Sequence, residues 1–516
     1  MTENDLKAIA YFAVGVTSEG SIAGRDVSYR LSFAGSVRNG VMDPVGNSGY
    51  SFGTLQIDLG QHPDVARQLL VSYQSWAIAQ PDRAAVELTQ AEFDTTLEAL
   101  QRTGRQMRAA GARDIDRSRI NRFLASDEGK AFVHSLDAQH VNGVTAEDAI
   151  RGNRDSALER LRRTAAYQNA SEEDQAQLAG MFMKLQNQAG NGHWPGIMRR
   201  VEAGTLTSPA DVKVAIDTLL PNQSNGDPDY IQSGADNTLN GVAVFNALRN
   251  TSPDNPLSQA WTNVVANPLV GPVDAHEPNP ANPDLGFQYN IIRSLFLSPE
   301  ASQRFIRALD LAGTMSEGHP HPANGRPQAG FHVAGNNFVH WNSDGRGVAY
   351  IDGAWSEIER SQITRIDQGN GVVDLNITCN GETTSLLRVD PREPPLRSAL
   401  APESLQLLRD SERHVRAVAD RHHLPWDPGM DNTVCALACQ ARLRGLGAIT
   451  HFHVTADGEI RYGHFDGVLL RDGSVDALEA ANTPAEASLH QMARADRQQL
   501  GMDSAREPLA ERALAR

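Results

Sequence analysis

Glu19 closes an apolar run, Ile9-Ala10-Tyr11-Phe12-Ala13-Val14-Gly15-Val16, and stands directly before Gly20 and a polar loop. Further along come Asp43-Pro44 and then Gly49-Tyr50-Ser51-Phe52-Gly53-Thr54-Leu55-Gln56-Ile57-Asp58. A carboxyl group at the end of an apolar helix, facing a Gly-punctuated strand that carries more carboxylates, suits general acid chemistry on a sugar–sugar bond. Such an acid must hold its proton at working pH. Dry neighbours and the negative end of the preceding helix both disfavour the anion. A second carboxylate must then support the cationic transition state or activate water. Asp43 and Asp58 are the candidates for that role. Each also has a plainer reading: Asp43 starts a turn before Pro44, and Asp58 caps a segment opened by His62-Pro63-Asp64.

These groups must be positioned by a helix and a strand. If 54–58 is a strand, Leu55 and Ile57 face the core while Thr54, Gln56 and Asp58 share the other face. That face, with Ser51 and Tyr50 beside it, is a candidate polar wall for a sugar cleft. Tyr50 and Phe52 equally suit a core.

The bulk composition agrees with a globular chain. Of 516 residues, 40% are hydrophobic and 21% charged, enough chain for several domains. The formal net charge of −16 argues against nucleic acid as a main ligand, since phosphate binding needs a cationic surface. No apolar run reaches the roughly 20 residues of a membrane helix. Met1-Thr-Glu-Asn-Asp lacks the basic start of a cleaved signal peptide. The three cysteines, Cys379, Cys435 and Cys439, are too few and too odd for a disulfide framework. Cys435 and Cys439 share one helix face and read as packing residues. No cofactor and no metal site is expected; His451 and His453 lie two apart on one strand face, and a metal there would need a further ligand such as His464.

The expected fold class is α+β multidomain. Residues 1–255 read as mainly helical with a small β-hairpin, and the Pro-rich stretch within 256–290 as a linker. Residues 291–400 read as a β-rich middle module of open role. Residues 401–500 read as a small α+β domain with helices over Leu405–Val418, 431–445 and 484–499 and strands Ile449–Val454 and Ile460–Phe465. Residues 501–516 read as a frayed tail.

The segment Ser18-Glu19-Gly20, with Asp43 to Asp58, resembles the active-site region of the lysozyme superfamily, nearest its chitosanase-like and phage-type muramidases. The resemblance spans about residues 5–250. It implies Glu19 as general acid, Asp43 as first choice for the second carboxylate, and Ser51 and Gln56 as cleft residues. The Glu-to-Asp interval is longer than in that family, which keeps Asp58 open. Asp137 and Gln139 lie where the family has a helix closing the cleft. Gln186 and Asn187, before Gly190-Asn191-Gly192, resemble a turn whose amides bind acetamido groups.

Residues 405–500 resemble the conserved C-terminal domain of Xanthomonas-type type IV secretion effectors, through Gly445-Leu446-Gly447-Ala448-Ile449-Thr450-His451-Phe452-His453-Val454, Asp457-Gly458 and Ala481 to Gln491. That resemblance implies docking on the secretion machine's coupling ATPase. Together the two imply an antibacterial effector made in the cytoplasm, exported without a cleaved signal, and cutting peptidoglycan in a rival's periplasm. A cognate immunity protein would protect the producer. The alternatives are a catalytically inactive wall-binding protein, a chitosanase, or a lytic transglycosylase.

Overall fold

The first long element begins where Thr2 caps Glu3–Ala8, its hydroxyl accepting from the Asp5 backbone N–H while the Asp5 carboxylate accepts from the Thr2 N–H. The helix then continues over Ile9–Glu19 with wider, i→i+5 winding, ending where the Gly20 N–H donates to the Gly15 carbonyl at 2.7 Å. Residues 9–17 of it are all buried. A helix apolar on every side must be surrounded. Here Asp127–Thr145, Glu172–Ala189, Pro228–Arg249 and Leu285–Leu297 pack around it. Phe12 stacks on Phe296 at 5.0 Å and leans on Trp261 at 6.5 Å.

The computed structural model describes the chain apart from residues 23, 146–155, 190–192, 220–227, 254, 312, 323–324, 326–327, 370, 380, 391–399, 423, 425, 456–457, 466–469, 486, 490 and 497–516. The class is α+β, with several small antiparallel sheets among many helices. The expected tail, the Gly190-Asn191-Gly192 turn, Asp457 and the end of the 484–499 helix fall outside the described residues.

The chain forms two compact units. The first holds residues 1–306, 318–330 and 339–362. Beside its central helix it has a second core. There a three-stranded antiparallel sheet of Ser32–Phe33, Tyr50–Phe52 and Ile57–Asp58 packs with helices Pro63–Ala79, Gln90–Leu100 and Ser118–Ala125 around Phe52, Tyr73 and Phe123. The same unit contains the hairpin Arg346–Ile351 with Ala354–Glu359.

Residues 256–290 are not a linker. Asn255 caps helix Pro256–Ala266, whose first turn begins with proline, and Leu285–Leu297 is buried along most of its length. The prolines that suggested a spacer, Pro268, Pro272, Pro278, Pro280 and Pro283, stand in the turns between these helices. Arg293 explains how the second helix is fixed. Its guanidinium donates to Asp26 at 2.9 and 3.1 Å, to the Tyr11 hydroxyl at 2.9 Å and to Ser28 Oγ at 3.0 Å.

The second unit holds residues 307–317, 331–338 and 363–516. In it Thr314–Glu317 pairs with 331–334, and Ile363–Gly369, Val372–Cys379 and Glu382–Val389 form an antiparallel meander. The expected middle module, 291–400, is thus divided between the units. Helices Pro402–Arg421 and Pro428–Leu443 pack against each other and on a sheet of His451–Val454, Glu459–Phe465 and Leu470–Asp476. The third of these strands and helix Ala477–Asn482 were not foreseen. Cys435 and Cys439 are buried in this core. Among the described residues no helix is long and apolar enough to cross a membrane.

Candidate active site around Glu19

Glu19 is the last residue of the central helix, and its side chain is 9% exposed. Its partner is a cation. Lys184 Nζ, on helix Glu172–Ala189 and 2% exposed, donates to Glu19 Oε1 at 2.5 Å. Asn187, one turn further along that helix, donates through Nδ2 to the same oxygen at 3.1 Å and to the Leu55 carbonyl at 3.3 Å. The purely apolar surroundings expected for Glu19 are therefore corrected: one wall is an ammonium group. Room for that lysine comes from Gly234, where a Cβ would stand 2.6 Å from Lys184 Cε.

Leu55 belongs to the tip of the small sheet. Residues 53–56, of which 54–56 were expected in a strand, form the turn between Tyr50–Phe52 and Ile57–Asp58, with φ of +87° at Gly53 and +51° at Gln56. Thr54, Gln56 and Asp58 hence share no strand face. The turn carries its own bonds: Gln56 Nε2 to the Gly53 carbonyl at 2.9 Å, and Ser51 Oγ to Gln56 Oε1 at 2.9 Å. It sits directly on the end of the central helix. A Cβ at Gly20 would lie 2.9 Å from the Thr54 carbonyl, so only glycine permits this approach.

Asp137 holds the tip from the other side. Fully buried, it accepts from the Thr54 backbone N–H at 2.9 and 3.2 Å. Burial pushes its carboxyl up to about 6, against the bonds from the turn and the field of Arg293. It is an anchor for the turn and does not line a cleft as the sequence suggested.

The remaining predicted residues are scattered. Asp43 is exposed on the separate hairpin Gly35–Arg38/Val41–Pro44. Asp58 accepts from the Gly49 N–H at 3.2 Å and the Gly60 N–H at 2.9 Å; burial raises its carboxyl and these bonds oppose the rise. It ties loop ends together. Tyr50 is a core ring whose hydroxyl donates to Asp114 at 2.7 Å and accepts from the Ile115 N–H at 3.1 Å. Gln186 is buried, accepting from the Ala157 N–H at the start of helix Ala157–Arg162. Gln139 is exposed. No contact joins Asp43, Asp58 or Asp137 to Glu19 among the described residues.

Lys184 escaped the sequence reading. Its signal was present: a lysine within Leu178-Ala-Gly-Met181-Phe182-Met183-Lys184-Leu185 is a charge on a buried face, and such a lysine needs a counter-ion. Arg293, within Tyr289-Asn-Ile-Ile-Arg293-Ser-Leu-Phe, carried the same signal.

No family model matches the chain, and neither a curated protein nor a solved structure matches it.

Proposed function

We propose that this chain cleaves the glycan strands of peptidoglycan, with Glu19 as the proton donor to the glycosidic oxygen. The observation that carries the reading is the Asn187 amide, which joins Glu19 Oε1 at the helix end to the Leu55 carbonyl of the 53–56 turn. Asn187 both orients Glu19 and offers an amide of the kind that recognises acetamido groups.

Since Asp43, Asp58 and Asp137 are engaged elsewhere or distant in the fold, a one-carboxylate route fits better than a two-carboxylate hydrolysis. In that route Glu19 gives its proton to the glycosidic oxygen, and the bond from that oxygen to the sugar's anomeric carbon breaks. A hydroxyl of the same sugar then closes on the anomeric carbon, returning its proton to the Glu19 carboxylate. The product is an anhydro sugar, and the step is that of a lytic transglycosylase. Muramidase-type hydrolysis is the same first half with water in place of the hydroxyl.

Residues 401–500, on this proposal, dock on a type IV secretion coupling ATPase, and the target is a rival's periplasm. An immunity protein in the producer completes the system.

One observation favours a second reading. Lys184 and Glu19 stand as an ammonium–carboxylate pair at 2.5 Å, and proton delivery requires both that Nζ release this oxygen and that the carboxylate take up a proton before it meets the glycan. An ion pair that never opens would be structural, leaving a wall-binding protein without catalysis. Zymography on purified peptidoglycan separates the two. Lysis by the native chain and none by folded Glu19→Gln supports the enzyme; no lysis by the native chain supports the binder.

A further inference from the structure

The 53–56 turn is held at two adjacent residues. On one side the fully buried Asp137 carboxyl accepts from the Thr54 N–H at 2.9 and 3.2 Å. On the other, the carbonyl of the next residue, Leu55, accepts from Asn187 Nδ2 at 3.3 Å, and the same amide nitrogen donates to Glu19 Oε1 at 3.1 Å. Between these ties the turn has little play. A Cβ at Gly53 would stand 3.0 Å from Asp137 Oδ1, and one at Gly15 would stand 2.8 Å from Thr54 Cγ2, so the tip is pressed between the carboxyl and the central helix. The grip of Asp137 therefore sets where the Leu55 carbonyl stands, and with it the hydrogen that Asn187 can spare for Glu19.

The strength of that grip depends on charge. An ionised carboxylate accepts bonds roughly twice as strong as a neutral acceptor does. Facing Asp137 are Arg293 on helix Leu285–Leu297, Tyr11 on the central helix, and Tyr29. Arg293 is paired with Asp26 at 2.9 Å, and burial holds both phenols far above their ordinary value. On the helix of Asp137 itself, His134 is bonded to the Leu269 carbonyl and burial lowers its ring, while His140 faces His62 with ring centroids 5.9 Å apart. Lys184, on Glu172–Ala189, is paired with Glu19. Asp58, which burial also raises, lies past the turn on the Gly49 and Gly60 N–H groups. Burial pushes the Asp137 carboxyl up to about 6, against the bonds from the turn and the field of Arg293. The turn is thus held tightest above that pH and loosens as pH falls through it.

Resting on the reading of Glu19 as proton donor, we infer that Asp137 is a positioning residue for Glu19, acting through Thr54, the Leu55 carbonyl and Asn187, and that the site is fully set only while this carboxyl is ionised. The direction is diagnostic. A general acid loses activity as pH rises. A limb that falls toward acid must come from another group, and Asp137 supplies it.

The test begins with release of soluble muropeptides from purified peptidoglycan by the native chain, Asp137→Asn and Asp58→Asn, between about pH 4.5 and 8. The native profile is expected to fall on its acid side. Asp137→Asn is expected to lower kcat about tenfold near neutrality, with KM within about twofold, and to lose the acid limb. Asp58→Asn should keep that limb. A second measurement needs neither lysis nor an Asp137 variant. It follows the 15N signal of the Asn187 side-chain amide with pH in folded Glu19→Gln, where position 19 cannot titrate. That signal is expected to move with a midpoint near 6, and to stay still in Glu19→Gln/Asp137→Asn. A still signal in Glu19→Gln, a native profile without an acid limb, or a limb that survives in Asp137→Asn would overturn the coupling. No lysis by the native chain with a moving Asn187 signal would uphold the coupling and remove the enzymatic reading; no lysis with a still signal would overturn both.

Discussion

Lys184 and Glu19 form a pair whose two side chains are 2% and 9% exposed. Removing one member strands the other, which typically costs about 3–5 kcal/mol. Lys184→Met should lower unfolding free energy by that order in urea titrations. Glu19→Gln/Lys184→Met should cost less than the sum of the single changes, because the two residues share one interaction. A cost under about 1 kcal/mol for Lys184→Met would mean that solvent screens the pair. Asp137 makes a prediction in pH. Its folded value of about 6 lies above the ordinary 3.8, so the folded state holds the proton more tightly. Its contribution is complete below about pH 4 and is lost as pH rises through 6, on the order of 3 kcal/mol. The stability of Asp137→Asn relative to the native chain should therefore rise between pH 4 and 7; a difference that is flat across this range would refute the assignment. At this scale the sequence showed Glu19, which ends its own apolar run. It hid Lys184, and it offered Asn187 only as a cleft amide and not as a partner of Glu19; the two reach Glu19 from 165 and 168 positions away.

The central helix and the 53–56 turn meet across glycine. At Gly20 an added Cβ would meet both Ser28 Oγ at 2.7 Å and the Thr54 carbonyl at 2.9 Å, and the backbone oxygen has no rotamer by which to give way. Gly20→Ala should destabilise by about 1–3 kcal/mol and, by moving the turn from Asn187, reduce any lytic activity. Unchanged activity and melting would show that the turn is not set by this contact. Asp58→Ala should lower stability by a similar amount, since it leaves the Gly49 and Gly60 N–H groups without their acceptor. Exposed Asp43→Asn should change neither stability nor lysis. The helix was legible from its unbroken apolar composition. The turn was not, because Thr54-Leu55-Gln56-Ile57 alternates like a strand while Gln56 adopts a positive φ that its residue type seldom takes.

Across the whole molecule, helices were easier to read than the borders between units. The prolines of 268–283 looked like a spacer. They lie in the turns between helices whose buried faces, with Trp261 and Phe296, belong to the first unit. The second unit has its own buried charge pair: Arg442 donates to Asp496 at 2.7 Å, and Asp496 also accepts from Ser404 Oγ and the Ala401 N–H. Arg442→Met should therefore lower the unfolding transition reported by the second unit's Trp426 by about 3–5 kcal/mol, while leaving lysis intact at temperatures where that unit stays folded. The most direct measurement on the molecule's chemistry is mass spectrometry of purified peptidoglycan incubated with the native chain and with folded Glu19→Gln. Soluble muropeptides ending in anhydro sugars from the native chain, with at least a hundredfold less from Glu19→Gln, are expected of a lone Glu19 acid. Equal release by both chains, or none by either, would contradict it.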